Sequence, residues 1–100
     1  MRIIACDFDG TLCENKFPDI GCPKRKIIKK LKQEQQNGSK IILWSCRESI
    51  LLQSAIKWCK DLGIVFDAVN DNLSETIEWM GYNPRKIYAT EYWDDKGMKV

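Results

Sequence analysis

Short apolar runs alternate with segments of helical period along this 100-residue chain. The first run, IIAC at residues 3–6, is continuous and begins with β-branched residues, which favours a strand buried on both faces. Residues 40–45 predict a second strand, 64–70 (IVFDAVN) a weaker third and 86–93 (KIYATEYW) a fourth. Glu91 interrupts the apolar character of the last run, so we expect that strand to be short or to lie at the edge of the sheet.

Three segments with helical periodicity separate these runs, over residues 24–38, 48–62 and 74–80. A glycine follows or ends each one, as is common at the carboxyl ends of helices. The residues behind these predictions are the apolar-face positions Ile27, Ile28, Leu31, Ile50, Leu51, Ala55, Trp58, Cys59 and Leu62, the cap Ser74, and the terminating glycines Gly38, Gly63 and Gly81.

Strands that alternate with helices indicate an α/β domain with a parallel sheet of about four strands and right-handed crossovers. A length of 100 residues suits one domain, residues 1–100, with a single core. Residues 10–23 contain two glycines and two prolines, and we expect them to form an irregular loop or small flap after the first strand.

Composition and charge bear on whether the protein is globular, membrane-bound or nucleic-acid-binding. The chain is 44% hydrophobic and 30% charged, which favours an ordinary globular protein over a disordered one. No apolar stretch has the length of a membrane span, and no signal peptide precedes the first strand, so we expect no membrane partner. The basic run at residues 24–32 favours a solvated helix face, with a nucleic-acid patch as the alternative.

The absence of histidine removes the commonest zinc ligand and the usual general base. The five cysteines form no CxxC pair, and their odd number favours reduced thiols and a cytoplasmic protein.

Polar clusters follow each predicted strand. In a parallel α/β sheet the carboxyl ends of the strands lie at one edge, where ligands bind. We therefore expect the clusters to converge there, although they are far apart in sequence. Their members are Asp7 and Asp9; Ser45, Cys46 and Arg47; Asn70, Asp71 and Asn72; and Asp94 and Asp95.

Clustered carboxylates without histidine or thiolate form a hard-oxygen site suited to magnesium, and the ion would offset their mutual repulsion. The pair Asp7 and Asp9 lacks the third acid of an EF-hand loop, which excludes that type of calcium site. One carboxylate can be a nucleophile towards phosphorus, and a second can act as general acid and base.

Several residues have a plain structural interpretation beside the functional one. Ser45 and the neighbouring backbone amides could hold phosphoryl oxygens, or Ser45 could only cap a helix. Arg47 could contact phosphate, or pair with Glu48 or another acid. The two asparagines are most economically turn residues, and the four tryptophans core aromatics.

The motif DFDGTL, residues 7–12, resembles the signature of the haloacid dehalogenase superfamily of phosphatases. ILWSCRE at 42–48 is similar to the second motif of that superfamily, and PRKIYATEYWDD at 84–95 is similar to its third and fourth motifs. The resemblance covers the whole chain and implies a Rossmannoid three-layer domain. No segment is long enough to form the usual cap domain, so the resemblance is to a small, capless phosphatase.

The resemblance also implies residue roles. Asp7 would be the nucleophile and Asp9 the general acid and base, while Asp7 and Asp94 would bind Mg²⁺ through their side chains and Asp9 through its backbone carbonyl. Asp95 completes the metal set. The predicted phosphate- and substrate-binding residues are Thr11, Ser45, Cys46, Arg47 and Lys86, with Arg85 as the alternative to Lys86.

Two functions follow as expectations. The first is a magnesium-dependent phosphohydrolase that forms an aspartyl-phosphate on Asp7. The second is a non-catalytic protein of the same fold that sequesters a phosphorylated small molecule or nucleotide. The expected substrate is a phosphorylated small molecule, a nucleotide or a macromolecular end. The missing cap implies either action on macromolecules or a homo-oligomer in which a neighbouring subunit supplies a lid.

Overall fold

The computed structural model describes residues 1–96. Its elements alternate much as the sequence pattern predicts. In chain order they are β1 (Ile3–Cys6), β2 (Cys13–Lys16), β3 (Asp19–Pro23), α1 (Arg25–Gln36), β4 (Lys40–Leu43), α2 (Ser49–Asp61), β5 (Ala68–Val69), α3 (Ser74–Met80) and β6 (Glu91–Trp93).

Four parallel strands form the main sheet in the order β5-β4-β1-β6, which confirms the predicted α/β architecture. All four residues of β1 are buried, and the strand pairs with β4 on one side and β6 on the other. The order places β6 at the edge, as the charged Glu91 predicts. Because β1 is central, the residues that follow it are flanked by the ends of two neighbouring strands.

The two faces of β1 pack into different apolar clusters, as expected for a sheet covered on both sides. Ile4 and Cys6 belong to a large cluster with residues of α1 and α2, including Leu31 and Cys59. Ile3 and Ala5 belong to a smaller cluster that includes Leu73, at the start of α3. The molecule therefore has helices on both faces of a parallel sheet.

Three strands are shorter than the sequence predicts. The second ends at Leu43 instead of residue 45, the third is reduced to Ala68–Val69, and the fourth begins only at Glu91. Residues 87–89 still pack against the core, but Tyr88 N–H donates to the side chain of Asn72 rather than to a neighbouring strand. Apolar character thus marks where the chain is buried, which extends beyond the residues that pair in the sheet.

The segment 10–23 is more regular than expected. Strands β2 and β3 pair antiparallel, with Asn15 opposite Ile20 and Lys16 opposite Asp19. We name residues 13–23 the hairpin. The pattern conceals it because β2 reads CENK, with three exposed residues, so main-chain pairing rather than a buried face defines the strand.

Two predictions about the helices are wrong in detail. Leu73 is the N-cap of α3, whereas Ser74 lies inside the helix and its hydroxyl donates to Glu75 Oε1 at 2.8 Å. Ile50, assigned to the apolar face of α2, is 78% exposed because it lies in the first turn, beyond the edge of the core.

The five cysteines are free thiols, as their odd number predicts. No helix within residues 1–96 is both long and apolar enough to cross a bilayer.

Candidate functional site

Three carboxylates meet at the carboxyl end of the sheet. Asp7 follows β1, and Asp94 and Asp95 follow β6, the parallel neighbour of β1. A hydrogen bond from Asp7 N–H to the carbonyl of Trp93, 2.9 Å long, extends this pairing to the site. One carboxylate oxygen from each aspartate lies within 4.8 Å of the others. The topology therefore brings together acids that are 87 positions apart in sequence, since Asp7 and Asp94 are adjacent here.

Burial makes Asp7 costly in its ionised form. Desolvation, followed by repulsion from Asp94, Asp95 and Asp9, raises the pKa of Asp7 to about 6. The backbone N–H of Phe8 donates to Asp7 Oδ1 at 2.8 Å and offsets part of this effect. A cation between the three carboxylates would remove the remaining repulsion. The all-oxygen donor set fits a hard ion such as Mg²⁺ better than zinc or copper.

Gly10 allows Asp95 to complete this cluster. Its φ of +88° is a conformation that side chains disfavour, and a Cβ built there would overlap Asp95 Oδ2 and lie 2.7 Å from Asp95 Cγ. The glycine of the DFDG motif thus serves a steric purpose, because the carboxylate occupies the space of a side chain.

Asp9 lies apart from the cluster. Its two carboxylate oxygens accept hydrogen bonds from Arg47, from Nε at 2.9 Å and from Nη2 at 2.8 Å. Arg47 therefore pairs with an acid, as one of its two predicted roles requires, and this acid is Asp9 rather than Glu48. The guanidinium is 1% exposed, so it does not present donors to a ligand at the edge of the sheet in this arrangement.

Ser45 lies in the loop that follows β4. Its hydroxyl oxygen accepts a hydrogen bond from Arg47 N–H at 3.1 Å, which leaves its own proton available for a ligand. The N-cap of α2 is Glu48, so the capping interpretation of Ser45 is wrong. Cys46 is exposed beside it. Asn70 Oδ1 accepts from Ser45 N–H at 2.7 Å, so Asn70 does more than form a turn.

The remaining predicted phosphate-binding residues are divided: Thr11 lines the same cleft as Asp94 and Asp95, whereas Lys86 and Arg85 are not among the residues that line it. Thr11 is buried, and its hydroxyl oxygen has no hydrogen-bond partner within the described chain. Lys86 and Arg85 are exposed, and neither forms an ion pair among residues 1–96. The ammonium of Lys86 instead lies 5.6 Å from the centre of the Tyr92 ring.

Sequence reasoning missed Lys24. Its ammonium donates to the carbonyl of Gly10 at 2.6 Å, and its side chain lines a cleft of about 370 Å³ together with Lys30, Asp94 and Asp95. The sequence pattern places Lys24 at the start of a solvated helix, and no spacing rule indicates a nearby carboxylate. Only the return of the chain through the hairpin places it there.

No family model matches this chain, and no curated protein does so significantly. Among solved structures, it is similar to a conserved protein coded by a locus from Bacteroides thetaiotaomicron. The two sequences are 41% identical, the match covers 96% of this chain and 77% of the other, and the TM-score is 0.84. At this identity and coverage the likeness extends beyond the fold, and the chain belongs to the same protein family as that conserved Bacteroides thetaiotaomicron protein.

Proposed function

We propose that this protein is a magnesium-dependent phosphohydrolase of the haloacid dehalogenase type, with Asp7 as the nucleophile. The observation that carries the proposal is the cluster of Asp7, Asp94 and Asp95 at the carboxyl edge of a parallel sheet, with the pKa of Asp7 raised to about 6. Burial and repulsion within this cluster disfavour the ionised form of Asp7, and a cation between the carboxylates would relieve the repulsion, which supports a metal-binding role.

In the proposed reaction, Asp7 Oδ2 attacks the phosphorus atom while Oδ1 stays on the Phe8 amide, which fixes the carboxylate plane. The bond between phosphorus and the leaving oxygen breaks, and Asp9 supplies the proton that the leaving group needs. Water then hydrolyses the aspartyl-phosphate with Asp9 as its base. Asp7, Asp94, Asp95 and the backbone carbonyl of Asp9 would hold Mg²⁺, which would supply positive charge to offset the charge of the phosphoryl oxygens.

The hydroxyl proton of Ser45 is free to donate to a phosphoryl oxygen from the neighbouring strand end. Lys24 adds a cation on the cleft side of the carboxylates. Whether Lys86 or Arg85 contacts the phosphate stays a prediction; Lys24 lines the cleft, and the Lys86 ammonium lies over the ring of Tyr92, a residue that also lines it.

One observation favours the second candidate function, non-catalytic sequestration of a phosphorylated ligand. Both oxygens of Asp9 accept hydrogen bonds from Arg47, so in this arrangement the carboxylate is engaged by a cation of the protein itself. If this engagement kept Asp9 from reaching the leaving group, the protein would bind a phosphorylated ligand without turning it over.

Hydrolysis of p-nitrophenyl phosphate and of a panel of phosphorylated metabolites, with and without Mg²⁺, tests the proposal. We expect magnesium-dependent release of phosphate that Asp7→Asn abolishes. Asp71→Asn is the matched control, because Asp71 is an exposed aspartate that follows β5, at the opposite edge of the sheet from β6, and lies outside the cluster. Turnover by Asp7→Asn near the wild-type rate would exclude Asp7 as the nucleophile, and tight binding without turnover would select the sequestering function.

A further inference from the structure

The guanidinium of Arg47 connects two parts of the site. Two of its N–H groups bind the carboxylate of Asp9, as described above. Another from Nη1 donates to the carbonyl of Pro18 at 3.1 Å, and Nη2 also donates to the carbonyl of Asp19 at 2.9 Å. Both carbonyls belong to the tip of the hairpin, so one buried cation holds Asp9 and the hairpin tip together.

Aromatic rings enclose this connection on two sides. The guanidinium carbon of Arg47 lies 5.1 Å from the ring centre of Phe8 and 5.2 Å from that of Phe17. Phe8 is fully buried next to Asp7 and Asp9, whereas Phe17 is 56% exposed at the hairpin tip. The hairpin therefore contributes both hydrogen-bond acceptors and a ring that cover a cation which would otherwise meet solvent.

This arrangement fixes the position of the Asp9 carboxylate. Each of its oxygens keeps a lone pair after accepting from Arg47, so the carboxylate can still exchange a proton with a substrate. Its position, however, depends on the guanidinium, and the position of the guanidinium depends on the hairpin. Displacement of a catalytic group by about 1 Å can cost roughly 100-fold in rate.

We propose that Arg47 is a positioning residue that couples the hairpin tip to Asp9, so that the hairpin sets the place of the acid and base. This inference rests on the proposed phosphohydrolase function for its catalytic part. Its structural part, the coupling itself, is independent of catalysis. Coupling is reciprocal. Removal of the Asp9 carboxylate should therefore make the hairpin more mobile, just as removal of the Phe17 ring should make Asp9 more mobile.

Amide hydrogen exchange tests the coupling without any substrate. In Asp9→Ala we expect exchange at residues 14–20 to become at least tenfold faster, while the amides of β1 and β4 keep their wild-type rates and report an intact fold. Asp71→Ala, which removes an exposed carboxylate outside this pair, should leave the hairpin unchanged. Unchanged hairpin exchange in Asp9→Ala would overturn the inference.

Phe17→Ala tests the catalytic part, because its exposed ring can be removed without opening the core. We expect kcat for an alkyl phosphate to fall about tenfold, with KM within about twofold of wild type. Tyr82→Ala, also an exposed aromatic, is the control and should change neither. Arg47→Lys keeps the charge without the fork and should lower kcat by a similar or larger factor.

A double-mutant cycle separates positioning from a merely structural role. In an Asp9→Asn background, Phe17→Ala should lower kcat no further, because the carboxylate that the Phe17 ring helps to position is already absent. Full additivity of the two losses would overturn the catalytic part of the inference. If the wild type shows no turnover on any phosphate ester, the proposed function fails, and the exchange experiment still decides whether Arg47 couples the hairpin to Asp9.

Discussion

Asp7 carries the clearest electrostatic signature at the scale of a single residue. Its folded-state pKa of about 6 lies above the ordinary value of 3.8, so the native protein binds the proton more tightly than the unfolded chain does. The stabilisation from this proton is complete below pH 4 and is lost as the pH rises to about 6. In metal-free protein, wild-type stability should therefore fall over that window.

Asp7→Asn removes this titration and should be relatively more stable than wild type at pH 7 in the presence of a chelator. The Tm of both proteins, measured at pH 4 and pH 7, checks it. We expect the Tm of the variant minus the Tm of the wild type to increase by a few degrees from pH 4 to pH 7. The conversion is about 4–8 °C per kcal/mol for a domain of this size. An equal Tm difference at the two pH values would show that folding does not raise the pKa of Asp7.

Gly10 and Gly38 form a matched pair of glycines. Their φ angles are +88° and +90°, but a Cβ at Gly38 would meet nothing within 4 Å, whereas one at Gly10 would displace the Asp95 carboxylate. Replacement by alanine should cost each protein about 1–2 kcal/mol for the left-handed backbone. Only Gly10→Ala should also weaken Mg²⁺ binding, measured by titration calorimetry. Equal Mg²⁺ affinity in the two variants would contradict the placement of Asp95.

At the scale of the elements, Asn72 holds the segment that leads into β6. It is 4% exposed, its amide donates to Asn83 Oδ1 and to the carbonyl of Pro84, both at 2.9 Å, and its Oδ1 accepts from Tyr88 N–H at 2.7 Å. Asn72→Ala leaves these groups without partners. Chemical denaturation should show a loss of about 1–3 kcal/mol. Asn37→Ala, at an exposed helix end, should cost less than half of that, and similar losses would refute the role of Asn72.

The hairpin shows why element prediction is weaker than core prediction in this protein. The buried residues of β1 and the apolar faces of α1 and α2 follow directly from the spacing of hydrophobic residues. The hairpin has no such face, and its strands pair through the main chain over polar side chains. It is nevertheless the element that places Phe17, Pro18 and Asp19 around Arg47.

At the scale of the whole molecule, metal binding at the acidic cluster would make folding and metal binding interdependent. An ion that binds only the folded state stabilises it by mass action, by about 2.7 kcal/mol at 100 times its dissociation constant. Mg²⁺ should therefore raise the Tm of the wild type, and Asp94→Ala should abolish this increment. Asp61→Ala, an exposed acid of α2, should keep it. An increment that persists in Asp94→Ala would remove Asp94 from the ligand set.

The missing cap implies, as one of two alternatives, a lid from a neighbouring subunit, which also belongs to this scale and stays a prediction. Trp79 and Tyr82 are mostly exposed on the described surface, but Trp79 lies in α3 and Tyr82 just after it, not among the residues that line the carboxylate cleft. Their exposure does not bear on how the site is covered.

The sequence alone determined the order of the helices and of the main-sheet strands, the parallel sheet and the convergence of Asp7 with Asp94 and Asp95. Each depends on a local regularity: apolar runs, helical period, and the rule that parallel strands end at one edge. The tertiary structure decided which acid Arg47 binds, that Thr11 faces inwards and that Lys24 reaches the cleft. These outcomes depend on side-chain geometry between elements that are distant in sequence, where many pairings satisfy the same charges and only packing selects one.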